Sequence, residues 1–115
     1  MSAVRGHGVF VHQPDAAIAA FGSPGGVAGA MRAMGMGLAW LRVHGRDGPW
    51  RGDENAMLAA ALRAGGIAVG VWGWCDGNDV ARDIANASEA IDAYDPGAYI
   101  ADIEPGVRGA RWTLG

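Results

Sequence analysis

Asp102 and Glu104 stand two residues apart near the C-terminus, in the segment Ala98-Tyr99-Ile100-Ala101-Asp102-Ile103-Glu104-Pro105-Gly106. The apolar residues ahead of them read as a buried strand, and residues i and i+2 of a strand point to the same side. Both carboxylates would then stand side by side where the strand opens into a loop, about 6.6 Å apart at Cα by the rise of a strand. Burial and a like-charged neighbour keep one such group protonated. It can donate a proton to a leaving oxygen while the other stabilises developing positive charge or orients substrate, the chemistry of glycoside hydrolysis. A purely structural role is the alternative: the two acids bond to backbone, or to Arg42.

Other chemistry-bearing residues end the remaining apolar runs: His12 and Gln13, then Arg42 and His44, then Trp72, Trp74, Cys75 and Asp76. Arg42 sits inside an apolar run, and a buried arginine normally needs an acid. It is expected to pair with Asp102 or Glu104, or to hold a ligand anion. Trp50 and Trp74 offer flat faces for sugar rings, with core packing as the competing use, and Trp72 is assigned to the core. Arg42, Trp74, Trp50 and Asp76 are therefore the expected substrate-binding set around Glu104 and Asp102. His12 and His44 lack a metal-site spacing. Cys75 is the single cysteine, so it forms no intrachain disulfide and no Cys-rich metal site, and a buried thiol is its simplest reading. No Walker loop occurs, and no GxGxxG follows a strand. Neither a cofactor nor a metal is expected.

The elements that must position these residues follow a regular pattern. Four apolar runs, at 8–12, 38–43, 67–72 and 99–103, recur about every 30 residues, the size of a βα unit. They are near-continuous rather than alternating, as in a sheet covered on both faces. Between them, Ser23 and Pro24 start a helix with Val27, Ala30, Met31 and Met34 on one face and Gly35 as its stop. Asp53 is expected to cap a second helix, with Met57, Leu58, Ala61 and Leu62 inward and Gly65-Gly66 as its end. Asp79 caps a third, with Val80, Ile84, Ala87, Ile91 and Tyr94 inward and Arg82, Asp83, Glu89 and Asp92 outward. The segment 13–22 is expected to be a loop with a short helix, and 45–52 a loop at the carboxylate end. The fold class is α/β: four βα-type units on a parallel sheet, forming half of, or a truncated, (β/α)8 barrel, with residues 1–115 as one domain. A small open doubly wound sheet is the alternative.

Composition narrows the classes further. The chain has 115 residues, half of them hydrophobic, a formal net charge of −3 and basic residues that are all arginine. That is enough for one modest core. The basic residues form no run, which argues against nucleic acid. No stretch reaches membrane-spanning length. Residues 1–7 lack a charged region followed by a long apolar run, so no signal peptide is read. Cytoplasmic synthesis is the expectation, with release by lysis as a route outward.

In this order of elements the chain resembles glycoside hydrolases of the TIM-barrel class. It is most similar to the N-terminal half of the lysozyme-type family 25, and more weakly to family 18 chitinases. The resemblance spans residues 7–106. Ala101-Asp102-Ile103-Glu104 matches the Asp-x-Glu that closes the fourth strand in both families, and Gly70-Val71-Trp72-Gly73-Trp74 is similar in aromatic spacing to the family 25 third strand. The resemblance implies Glu104 as general acid and Asp102 as the group that tunes it or positions the substrate's N-acetyl group. It departs at Phe10, where family 25 carries an aspartate, and at Ile100, where family 18 does. Two functions stay open: a hydrolase-like domain acting on a cell-wall-type polysaccharide or oligosaccharide, and a non-catalytic carbohydrate-binding or phage-type structural module. A half-barrel leaves two sheet edges and an uncovered apolar face. A homodimer or a second chain completing the barrel is therefore an expected partner.

Overall fold

The computed structural model describes residues 6–107 and 109–113. The N-terminal residues read for a leader, 1–5, lie outside them. The chain order is β1 (Gly8–Val11), α1 (Pro14–Phe21), α2 (Pro24–Ala33), β2 (Leu38–Gly45), β3 (Gly48–Pro49), α3 (Gly52–Ala64), β4 (Ala68–Trp74), α4 (Val80–Tyr94) and β5 (Tyr99–Asp102). The fold is α/β, with a mostly parallel sheet of order β1-β2-β4-β5 and the short β3 turned back antiparallel on the end of β2.

Several helix boundaries follow from local chemistry. Gly26 N–H donates to Ser23 Oγ at 2.9 Å, and Pro24 follows at the first helical position, where its missing N–H costs nothing. Gly35, at φ 74°, takes the left-handed conformation just past the end of α2. Asp79 caps α4 through Arg82 N–H, at 3.0 Å. Asp53 does not cap α3. The helix begins at Gly52 behind Arg51, whose φ of 48° is left-handed, and Asp53 falls inside the first turn.

Four strands, β1, β2, β4 and β5, run parallel in chain order, and Val11, Leu41, Val71 and Tyr99 align across them. That row, with Ala39, Val43 and Val69, packs against Val27, Ala28 and Met31 of α2, Leu58, Ala59 and Leu62 of α3, and Ala90 of α4. Ala17 and Ile18 of α1 join the same core. All four described helices therefore cover one face of the sheet. A doubly wound sheet reverses its strand order to place helices on both faces. Here the order never reverses, so neither the doubly wound alternative nor the expected two-sided cover is found. The opposite face carries Phe10, Trp40, Trp72 and Ile100, and its apolar side chains explain why the strands read as continuously hydrophobic.

Three further expectations are corrected. Asp83, Asn86 and Ala90 are the buried residues of α4, whereas Val80, Ile84 and Ile91 are 54%, 61% and 43% exposed. Polar groups won the inner face because loop backbone there needs partners: Gly77 N–H donates to Asp83 Oδ2 at 3.0 Å, and Asn86 Nδ2 donates to the carbonyls of Gly45 and Arg46. In α3 the inward stripe is Asn55, Leu58, Ala59 and Leu62, and Met57 faces solvent. The fourth strand is also not buried. Ile100 and Ala101 are exposed, because β5 is an edge strand with β4 alone beside it.

Candidate functional site

Residue types able to do chemistry collect at the C-terminal ends of the parallel strands, on the face the helices leave open. Register places Phe10, Trp40 and Gly70 in one row, Arg42, Trp72 and Ile100 in the next, and Trp74 and Asp102 in the last. Gly70 leaves room for the Trp40 ring, which a methyl group at residue 70 would strike. Phe10 stacks on Trp40 with ring centres 6.0 Å apart and meets the edge of Trp72 at 6.2 Å. Trp72 Nε1 donates to Trp40 O at 3.2 Å, which locks that ring, and His12 lies over Trp72 at 5.5 Å. The result is a groove of about 540 Å³ lined by Phe10, His12, Trp72, Ile100 and Asp102, with Ala101 and Ile103 at its side.

Asp102 is the last residue of β5, half-buried at the mouth of this groove, and its carbonyl accepts from Cys75 N–H at 3.0 Å. Glu104 lies two residues beyond the strand and is exposed. Pairing stops at Asp102 because its neighbour Trp74 ends β4. The same-side rule for strands therefore reaches Asp102 and not Glu104.

Arg42 is buried, and its guanidinium carbon lies 4.3 Å from the centre of the Trp50 ring. Arg51 approaches the same ring at 5.2 Å and pairs with Asp15 at 3.5 Å. Trp74 is 8% exposed, with Arg46 over its ring at 4.9 Å. Arg46 Nε in turn pairs with Asp76 Oδ2 at 3.2 Å. Asp76 is buried and accepts from Asn78 N–H at 3.0 Å. That backbone hydrogen bond is the largest cause holding its carboxyl below the usual range, with Arg46 and Arg82 adding to it. The faces of Trp50 and Trp74 thus carry guanidinium groups, and Phe10, at 60% exposure, is the most open aromatic surface in the groove.

Three residues around the mouth were not singled out from sequence. Asn55, fully buried on α3, donates through Nδ2 to Arg42 O at 2.7 Å and Trp50 O at 2.9 Å, and so ties the loop after β2 to the helix behind it. Its signal was present: Asn55 heads the i, i+3, i+4, i+7 stripe completed by Leu58, Ala59 and Leu62. Arg46 lies in the tight turn between β2 and β3, where Gly48 has φ 117°. Tyr99 belongs to the helix-covered face. There its hydroxyl meets His44 Nε2 at 2.6 Å and Cys75 Sγ at 3.8 Å.

His44 reaches that layer through a bulge. Arg42 pairs with Trp72, but His44 pairs with Gly73, so Val43 is the extra residue. The shift removes His44 from the open groove and lays its ring over Gly73. Burial lowers its basicity below the ordinary value of 6.5, and burial also raises the Cys75 thiol and the Tyr99 hydroxyl. Among the described residues, no group of three or more His, Cys, Asp or Glu side chains is placed to hold a metal ion, and no helix is long and apolar enough to cross a membrane. No family model, curated protein or solved structure matches the chain.

Proposed function

We propose that this chain is a glycoside-hydrolase-like domain, half of a (β/α)8-type scaffold, that engages a cell-wall-type polysaccharide at the C-terminal mouth of its sheet. The observation that carries the reading is the aromatic groove ending at Asp102 on a singly wound parallel sheet. Catalytic sites of β/α barrels lie at the C-terminal ends of the strands, and apolar rings beside a carboxylate suit the C–H faces and hydroxyls of a sugar. In this reading Glu104 is the general acid. Asp102, nearer the groove, positions the substrate or stabilises positive charge. Arg42, Trp50, Trp74 and Asp76 form the supporting wall.

A specific observation favours the non-catalytic alternative. Phe10, where the resemblance places an aspartate, projects into the groove at 60% exposure. A binding surface without chemistry gains from an exposed ring there, whereas hydrolysis loses a carboxylate.

The test is turnover and binding on a panel of peptidoglycan and chito-oligosaccharides. If the domain is a hydrolase, Glu104→Gln lowers the rate by about 10²–10⁴-fold, the usual worth of a general acid, with binding retained. Binding without turnover in the wild type establishes the non-catalytic module. Absence of both overturns the carbohydrate reading.

A further inference from the structure

The two ends of the sheet are open. Among the described residues, β1 and β5 are each four residues long and each pairs on one side only. Each edge is flanked by apolar side chains. Beside β1 these are Val9 at 37% exposure, Phe21 at 51% and Met34 at 61%, which line a second groove with Val27 and Met31. Beside β5 they are Val80, Ile84 and Ile103, which line a third groove with Tyr99 and Trp112. A helix that turns an apolar stripe to solvent while burying Asp83 and Asn86 is built to be covered on its outer side.

On the face without helices the Phe10 and Trp72 rings meet at 6.2 Å across the strand between them. One groove there touches both β1 and β5, at opposite ends of the strand order.

We infer that a second copy of this chain docks along both open edges and closes the sheet into an eight-stranded parallel barrel. The inference rests on the half-barrel reading above and on no sugar chemistry. A half turn about an axis along the strands sets the β5 edge of each copy beside the β1 edge of the other, parallel at both junctions. The half turn relates the two junctions to each other, so the interface is isologous and closed, and it generates a dimer and not a fibre. Four strands from each copy make the eight whose interior side chains can fill. Phe10 and Trp40, the lower row, would pack against the same row of the second copy, and Trp72 and Ile100 would floor the open mouth in which Asp102 stands. The exposed large apolar side chains on the two flanks and in the groove present about 600–800 Å² per copy, taking roughly 150–200 Å² for a whole side chain. That approaches the ~800 Å² each partner gives to a stable interface. The mouth is incomplete in a single copy: at each junction Asp102 would gain His12 of the partner subunit as its neighbour.

Sedimentation equilibrium on the full chain tests this. The expected mass is twice the 11.8 kDa of one chain. Phe10→Asp and Ile84→Glu each alter a side chain that is exposed in the single copy. Each is expected to halve the mass while the far-UV dichroism persists. Hydrogen exchange at the amides of β1 and β5 gives a reading on the unmodified chain, and slowing with rising concentration is expected. A monomer at every concentration overturns the inference, as does an open-ended polymer. A dimer that survives both substitutions with unprotected β1 and β5 amides also overturns it. A dimer inert to every sugar leaves it standing and removes the carbohydrate reading instead.

Discussion

His44 has two ring partners, and they determine its tautomer. The Gly45 carbonyl, 3.1 Å from Nδ1, can only accept, so Nδ1 carries the proton and Nε2 accepts from the Tyr99 hydroxyl. A second proton would place a charge inside a buried layer and make Nε2 a donor, so that the hydroxyl would have to turn its own hydrogen away. The folded protein therefore binds the proton more weakly than the unfolded chain, whose histidine titrates at 6.5. With more protons on the unfolded state in this range, stability is full above about pH 6.5 and falls as the pH drops toward the depressed folded value. Urea midpoints measured from pH 7.5 down to 5 should decline, and His44→Gln should flatten that part of the profile. A decline unchanged in His44→Gln would assign it to other groups.

At the level of elements, the link between α3 and the loop after β2 rests on one amide. Asn55→Ala leaves the carbonyls of Arg42 and Trp50 without their donor. It also removes Asn55 Oδ1, which is buried without an acceptor's partner. The second effect offsets part of the first, so the expected loss is about 1–2 kcal/mol, read from denaturant unfolding. Trp50 fluorescence should change as well, since the loop that holds the ring against Arg42 is released. Loss of stability with Trp50 emission unchanged would count against Asn55 as the loop's anchor. The stripes of α3 and α4 show how much of this arrangement the sequence carried. Periodicity places Leu58 and Leu62 inward, where the structure has them. It misplaces the phase of α4, because Val80, Ile84 and Ile91 have the spacing of a core face and Asp83 and Asn86 do not. Periodicity ranks faces by hydrophobicity, and here backbone groups at the loop ends needed polar partners more than the core needed another isoleucine.

For the molecule as a whole, the deciding property is a sheet covered on one face. Leu41, Leu58, Leu62 and Val71 are fully buried on the helix side, which is sufficient for a core, while the opposite face leaves the Phe10 ring open to water. Association that covers that ring stabilises the folded state by mass action. The thermal midpoint of the wild type should rise with protein concentration, and that of Phe10→Asp should not. A midpoint independent of concentration in both proteins would mean that the face without helices is left uncovered in solution.

The order of the four parallel strands and the helices between them, the caps at Ser23 and Asp79 and the glycine stops are legible in the sequence, whereas the short β3 inside the expected loop 45–52 is not. Each depends on local geometry: the rise of a strand, the unpaired N–H groups at a helix start, the ease of positive φ at glycine. What tertiary structure decided was which neighbour each side chain met. It turned α4 about its axis, used a bulge at Val43 to move His44 behind the sheet, stacked Arg42 on Trp50 and Arg46 on Trp74, and ended β5 at Asp102 so that Glu104 lies beyond it. These outcomes depend on contacts between residues tens of positions apart, where burial, hydrogen-bond satisfaction and ring stacking compete. No spacing along the chain records which of them prevails.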